Sequence, residues 1–127
     1  MPSDAEDVHR IALSLPGASQ VEGQLRYEVG GKNFTWVWRE RIAGRRGRVP
    51  QPEVFAVRVA DEEEKQVLIA SDPEKFFTEP HYNGYPAVLI RLAAIENDEL
   101  AELVTDAWRI RAPRRLQAEF DAKGPSR

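Results

Sequence analysis

The stretch that decides the fold is Gln24-Leu25-Arg26-Tyr27-Glu28-Val29-Gly30-Gly31-Lys32-Asn33-Phe34-Thr35-Trp36-Val37-Trp38. Two runs rich in β-branched and aromatic residues flank a Gly-Gly pair, which can take the positive φ angles of a tight primed turn, so the segment predicts an antiparallel β-hairpin. If Val29 pairs with Lys32, strict alternation puts Tyr27 opposite Phe34 and Leu25 opposite Trp36. One sheet face then carries Leu25, Tyr27, Phe34, Trp36 and Trp38.

Working outward, Ser3 and Glu6 have capping-box spacing, and Val8, Ile11, Ala12 and Leu15 recur at helical intervals until Leu15-Pro16-Gly17. This predicts a helix over 4–15. Beyond the hairpin, residues 39–52 are polar, rich in Gly and Arg and interrupted by Pro50 and Pro52, and read as an exposed loop. Residues 54–59 alternate as a third strand. Asp61 and Glu64 have cap spacing, with acids on the positive end of the dipole, so 61–70 reads as a short helix rather than a strand. Ser71-Asp72-Pro73 predicts a single helical turn to about Phe77, and Ala87 to Leu92 a fourth strand. Asn97 is placed to cap a helix in which Leu100, Leu103, Val104, Ala107 and Trp108 share one face, and Pro113 ends or kinks it. Residues 113–127 form a basic C-terminal tail able to be helical. Strands grouped together, with helices at the two ends, imply a single α+β domain over 1–127: a mainly antiparallel sheet of about four strands with the terminal helices on one face.

Composition narrows function by exclusion. The 127 residues contain no cysteine, which removes disulfide scaffolds, zinc ribbons, iron–sulfur clusters and thiol catalysis. His9 and His81 are the sole histidines, too few for an all-histidine metal site. No apolar run reaches the roughly 18 residues of a membrane span, and the acidic start Met-Pro-Ser-Asp-Ala-Glu-Asp is unlike a signal peptide, so a cytoplasmic location with no membrane partner is expected. The net charge of −3 speaks against indiscriminate polyanion binding.

A second pattern is visible in Phe76-Phe77-Thr78-Glu79-Pro80-His81-Tyr82-Asn83-Gly84-Tyr85-Pro86-Ala87-Val88-Leu89-Ile90-Arg91-Leu92. Together with Glu99-Leu100, the run Asp106 to Pro113, Leu15-Pro16-Gly17 and Gly31-Lys32-Asn33-Phe34, it resembles the MmcQ/YjbR-like family over most of the chain, to about Leu116. The resemblance implies a small bacterial α+β protein with a frataxin-like (CyaY-like) sandwich, and DNA as the nominal partner. It carries over no catalytic residues, metal ligands or cofactor.

Two constellations bear on binding. Arg39, Arg41, Arg45, Arg46 and Arg48 stand against Glu40 alone, and Arg109, Arg111, Arg114, Arg115, Lys123 and Arg127 against Glu119 and Asp121. Guanidinium forks suit phosphate oxygens, so Arg39, Arg41, Arg45, Arg46, Arg48, Arg111, Arg114 and Arg115 are candidate contacts for weak, salt-sensitive DNA binding; the alternative is a set of solvated side chains. The aromatic turn offers a second site, where His81, Tyr82, Asn83 and Tyr85 could stack on and hydrogen-bond a small molecule, or dock a protein; the alternative is a structural turn into the next strand. Catalysis by His81 would require Thr78, Glu79 or Asp72 within hydrogen-bond reach, and a non-enzymatic binding module is expected. The four acids Asp61 to Glu64 point in different directions on a helix, so no metal site is assigned to them. Spacing puts Trp36, Trp38 and Trp108 in or around the core, against an exposed aromatic sheet face that reads single-stranded nucleic acid.

Overall fold

In the computed structural model, residues 2–41, 43–44 and 46–122 are described. The elements are α1 (Ala5–Leu13), β1 (Ser19–Gln20), β2 (Arg26–Val29), β3 (Lys32–Arg41), β4 (Arg48–Arg58), α2 (Glu62–Ser71), β5 (Phe76–Phe77), β6 (Ala87–Arg91), α3 (Asn97–Arg111) and α4 (Arg114–Ala122). The α+β expectation holds, but the sheet has six strands, ordered β1-β2-β3-β4-β6-β5 with every neighbouring pair antiparallel. The two additional strands, β1 and β5, are dipeptides that acquire strand character only through pairing. Phe76 and Phe77 pair with Ile90 and Leu89, where a helical turn was expected from Ser71-Asp72-Pro73.

Residues 39–52 are another correction. Residues 39–41 and 48–52 extend β3 and β4 into a long two-stranded arm, with Arg39 opposite Pro50 and Arg41 opposite Arg48. The prolines are tolerated because β6 pairs with β4 only from Val54 onward, which leaves the arm one open edge where a missing N–H costs no ladder bond.

The hairpin forms around Gly30-Gly31 with Val29 opposite Lys32, yet its register slips within two residues. Glu28 lies opposite Asn33, but Tyr27 lies opposite Thr35 and Arg26 opposite Trp36. A bulge has inserted Phe34, and one inserted residue exchanges the faces of everything beyond it. Phe34, Tyr27, Val37, Phe55, Val57, Phe76, Val88 and Ile90 consequently share the main core with α1 and α3. Trp36, Trp38 and Phe77 pack instead around Ala56, Tyr82, Ala87 and Leu89 on the opposite side. Trp108, with no exposed surface, therefore covers a face that holds neither of the other tryptophans; its Nε1 donates to the Pro16 carbonyl at 3.0 Å.

The helices obey their predicted periods with adjusted caps. Asp4, not Ser3, caps α1: its carboxylate accepts from the Asp7 N–H at 3.1 Å while Asp7 reciprocates at 2.9 Å. The Arg10 guanidinium on Asp7 holds that carboxyl below the usual range. Ser3 is buried and ties the N-terminal segment to the entry of α3, its one hydroxyl hydrogen shared between the Ile95 carbonyl at 2.9 Å and Asn97 Oδ1 at 2.7 Å. Asn97 is thereby occupied as the first residue of α3, whose N-cap is Glu96. Asp61 caps α2 as its spacing predicts, at 2.9 Å from the Glu64 N–H. Pro113 ends α3, and Arg114–Ala122 of the expected tail folds as α4, which buries Leu116 against the core.

Candidate functional site

The sheet face opposite α1 and α3 is not covered by a helix layer. Its cover is the segment 79–86, pulled across the strands as a turn of 3-10 helix at Pro80–Tyr82. Glu79 caps that turn through Oε1, 2.9 Å from the His81 N–H, and its other oxygen lies 3.3 Å from Trp38 Nε1 and 3.8 Å from Arg48 Nη1. One carboxylate thus joins the turn, a sheet tryptophan and an arginine of the arm. Tyr82 is buried, with its hydroxyl accepting from Trp36 Nε1 at 2.9 Å, and burial pushes its phenol above the usual range.

Lys65 anchors the turn from behind. Its side chain is fully buried, and Nζ donates to the carbonyls of Tyr82 and Tyr85, with Glu62 Oε1 at 3.9 Å. Burial pushes this ammonium below the usual lysine range, against the pull of Glu62. Lys65 reads in the sequence as an ordinary surface lysine of a helix. The available signal was its place on the same helical stripe as Leu68 and Ile69, both of which pack on the core.

Of the turn residues, His81, Tyr82 and Tyr85 line one cleft of about 300 Å³ together with Arg26, Asn33 and Trp36. Asn83 is exposed and is not among those lining residues. Tyr85 is 41% exposed and has the Arg58 guanidinium 5.6 Å from its ring centre. Asn33 Oδ1 is buried without a hydrogen-bond partner among the described residues. The His81 ring sits edge-on to Tyr82, and Glu79 engages the His81 backbone rather than its imidazole. Arg26 and Arg58 carry no signal in the sequence, because an arginine in an alternating strand reads as an ordinary solvent-facing residue; Glu79, weighed there only as an acid partner for His81, serves instead as the cap of the turn.

The arginine candidates fall into two groups at opposite ends of β3. Arg39, Arg41 and Arg46 are exposed and Arg48, opposite Arg41 where the arm's ladder ends, is half-buried; Arg45 lies outside the described residues. Arg39 shares a cleft of about 240 Å³ with Trp36 and Pro50, which brings the arm to the aromatic face. Arg111 is used structurally, donating from Nε to the Asn33 carbonyl at 3.2 Å beside the Gly30-Gly31 turn. Arg114 and Arg115 are exposed on α4, and Lys123 and Arg127 lie outside the described residues. Arg109 pairs with Asp121 at 2.7 Å. Among the described residues, no group of three or more His, Asp or Glu side chains is arranged to hold a metal ion, and no helix is long and apolar enough to cross a membrane.

Comparison with known proteins agrees with this architecture. The family model described as YjbR matches residues 13–110. Uncharacterised proteins of Mycobacterium tuberculosis and Mycobacterium bovis are each 40% identical over 121 residues, covering 91% of this chain and 93% of their own length. The crystal structure of a Deinococcus radiodurans protein assigned to the DUF419 domain model superposes with a TM-score of 0.60 at 14% identity, covering 85% of this chain and 78% of that one, a likeness of fold.

Proposed function

The chain belongs to the YjbR family, and from that premise we propose that it is a non-enzymatic, cytoplasmic module that binds single-stranded DNA along the half-buried aromatic face opposite its helices. The observation that carries the reading is the placement of Trp36 and Trp38 on the face opposite the helices, beside the arginine arm. Aromatic rings offer any base a stacking surface worth about 1–3 kcal/mol, and arginines beside them neutralise the backbone. Arg39, Arg41, Arg46 and Arg48 supply the phosphate contacts, with Arg26 and Arg58 flanking Trp36 and Tyr85. Arg111, Arg114 and Arg115 stand outside this contact set, at the far end of β3. The layer order, with helices on one face of an antiparallel sheet, agrees with the frataxin-like sandwich that the family resemblance implies.

The test is tryptophan fluorescence during titration with oligo-dT at low and moderate salt, with a duplex of the same length alongside. Quenching by the single strand that weakens with salt supports the reading; no quenching at low salt overturns it. A second reading has its own support in the cleft lined by Arg26, Asn33, Trp36, His81, Tyr82 and Tyr85, which is large enough for one planar small molecule. Quenching by mononucleotides as strong as that by oligo-dT would favour it.

A further inference from the structure

A larger cleft, of about 700 Å³, opens on the other side of the Glu79 turn, where the first residues of the chain meet the β3–β4 irregularity and the β5–β6 edge. Its volume lies within the range of small-molecule sites. Its walls are chiefly apolar: Ala5, Trp38, Pro52, Val54, Phe77 and Leu92. Trp38 and Phe77 meet edge to face, with ring centres 5.6 Å apart, and present an aromatic corner.

Three charged residues line this cleft, Asp4, Glu53 and Arg91. Asp4 is committed to capping α1, where the helix dipole offsets its charge. Arg91 is stacked over the Phe77 ring at 4.0 Å and donates from Nη1 to the carbonyls of Pro73 and Glu74. These contacts fix the plane of the guanidinium and leave its Nε and Nη2 donors without a protein partner among the described residues. Glu53 is exposed and has neither an ion pair nor a side-chain hydrogen bond among the described residues. Although Val54, next to Glu53, is the cross-strand partner of Arg91, the two opposite charges do not pair with each other. An aromatic corner beside one oriented guanidinium and one unpaired carboxylate complements a ligand that carries a ring, a carboxylate and an ammonium. A polyanion fits poorly, because two of the three charges are acidic.

We propose that this cleft binds a free aromatic α-amino acid, with its ring against Trp38 and Phe77, its carboxylate on Arg91 and its ammonium towards Glu53. This goes beyond the nucleic-acid reading and shares only Trp38 with it. The experiment is an NMR titration of the isotope-labelled full chain with L-phenylalanine, L-phenylalaninamide, N-acetyl-L-phenylalanine and L-alanine. Saturable shifts at the Trp38 indole and the Arg91 and Val54 amides are expected with L-phenylalanine. The amide, which lacks the carboxylate, and the N-acetyl compound, which lacks the ammonium, should each bind about tenfold or more weakly, the loss of one charge-assisted contact. Glu53→Gln, a surface change that does not threaten folding, should weaken L-phenylalanine but not the N-acetyl compound, and Ala93→Trp should block the cleft mouth. No saturable shift with L-phenylalanine, or equal affinity for all four compounds, overturns the proposal.

Discussion

The buried ammonium of Lys65 donates to the carbonyl oxygens of Tyr82 and Tyr85, 3.0 Å away in the case of Tyr85, so that a helix at the sheet edge holds the turn crossing the aromatic face. Both carbonyls also accept backbone N–H groups, from Tyr85 and Ala87 respectively. Removing the lysine therefore strands neither of them. Lys65→Met exchanges a desolvated charge for an apolar chain of similar length, and chemical denaturation should show a change of at most about 2 kcal/mol of either sign. Amide exchange across residues 80–86 should quicken in the same variant. Lys65→Glu would bury a carboxylate against two carbonyls, and circular dichroism should report an unfolded chain. Wild-type stability in that variant would refute the burial of this side chain.

The Tyr27 phenol is pushed above its usual value of 10.0, first by burial and then by Glu6, and its oxygen lies 2.9 Å from His9 Nδ1. A raised value means that the folded chain keeps this proton where the unfolded chain releases it. The unfolded state thus binds fewer protons above pH 10, and stability falls as pH rises through that region. Tyr27→Phe should cost about 1 kcal/mol at neutral pH through the lost hydrogen bond. The gap between the two proteins in urea midpoints should then narrow above pH 10. A constant gap up to pH 11.5, about 1.5 units above the ordinary phenol value, would count against this account.

The three tryptophans should separate by experiment into one core residue and two surface-facing ones. Trp108→Ala removes a fully buried indole and should cost about 3–5 kcal/mol, enough to unfold a domain of ordinary stability. Trp36→Ala and Trp38→Ala should leave folded protein, read by thermal melting, and abolish quenching by oligo-dT. Retained quenching in the double variant would remove the aromatic face from the proposed contact.

Arm arginines should act through salt dependence. Arg39→Ala and Arg41→Ala, both exposed, should leave the melting temperature nearly unchanged. Each should reduce the slope of log affinity against log salt by about 0.7, the value for one phosphate contact on a single strand. Arg114→Ala and Arg115→Ala on α4 serve as controls and should leave the slope alone.

Gly17 has a φ of +69°, and a Cβ placed on it would approach Leu116 Cδ1 to 2.5 Å. Gly23 has a φ of +74° with nothing within 4 Å of such a Cβ. Gly23→Ala should therefore show the backbone penalty alone, about 1 kcal/mol, while Gly17→Ala adds the displacement of Leu116 and should loosen α4. Equal melting temperatures for the two variants would mean that α4 does not pack where Leu116 places it.

Local pattern in the chain determines a good deal of this protein. The stripe Val8, Ile11 and Ala12, the stripe Leu100, Val104, Ala107 and Trp108, the Gly30-Gly31 turn and the alternation of Phe55, Val57 and Val59 are short-range periodicities, and each appears where the sequence puts it. The family pattern from Phe76 to Leu92 is equally local. Tertiary structure decided what depends on partners remote in sequence. The bulge at Phe34 turns Trp36 and Trp38 away from Trp108, because a strand's side-chain period of two leaves a single inserted residue undetectable until its partner strand is present. Residues 39–41 and 48–52 become an arm because the two segments find each other, and prolines read as loop markers sit harmlessly on the side that β6 does not reach. Lys65 is an ordinary surface residue by chemistry. Only the arrival of the Tyr82 and Tyr85 carbonyls, 17 and 20 residues later, makes its burial tolerable and gives the aromatic face its shape.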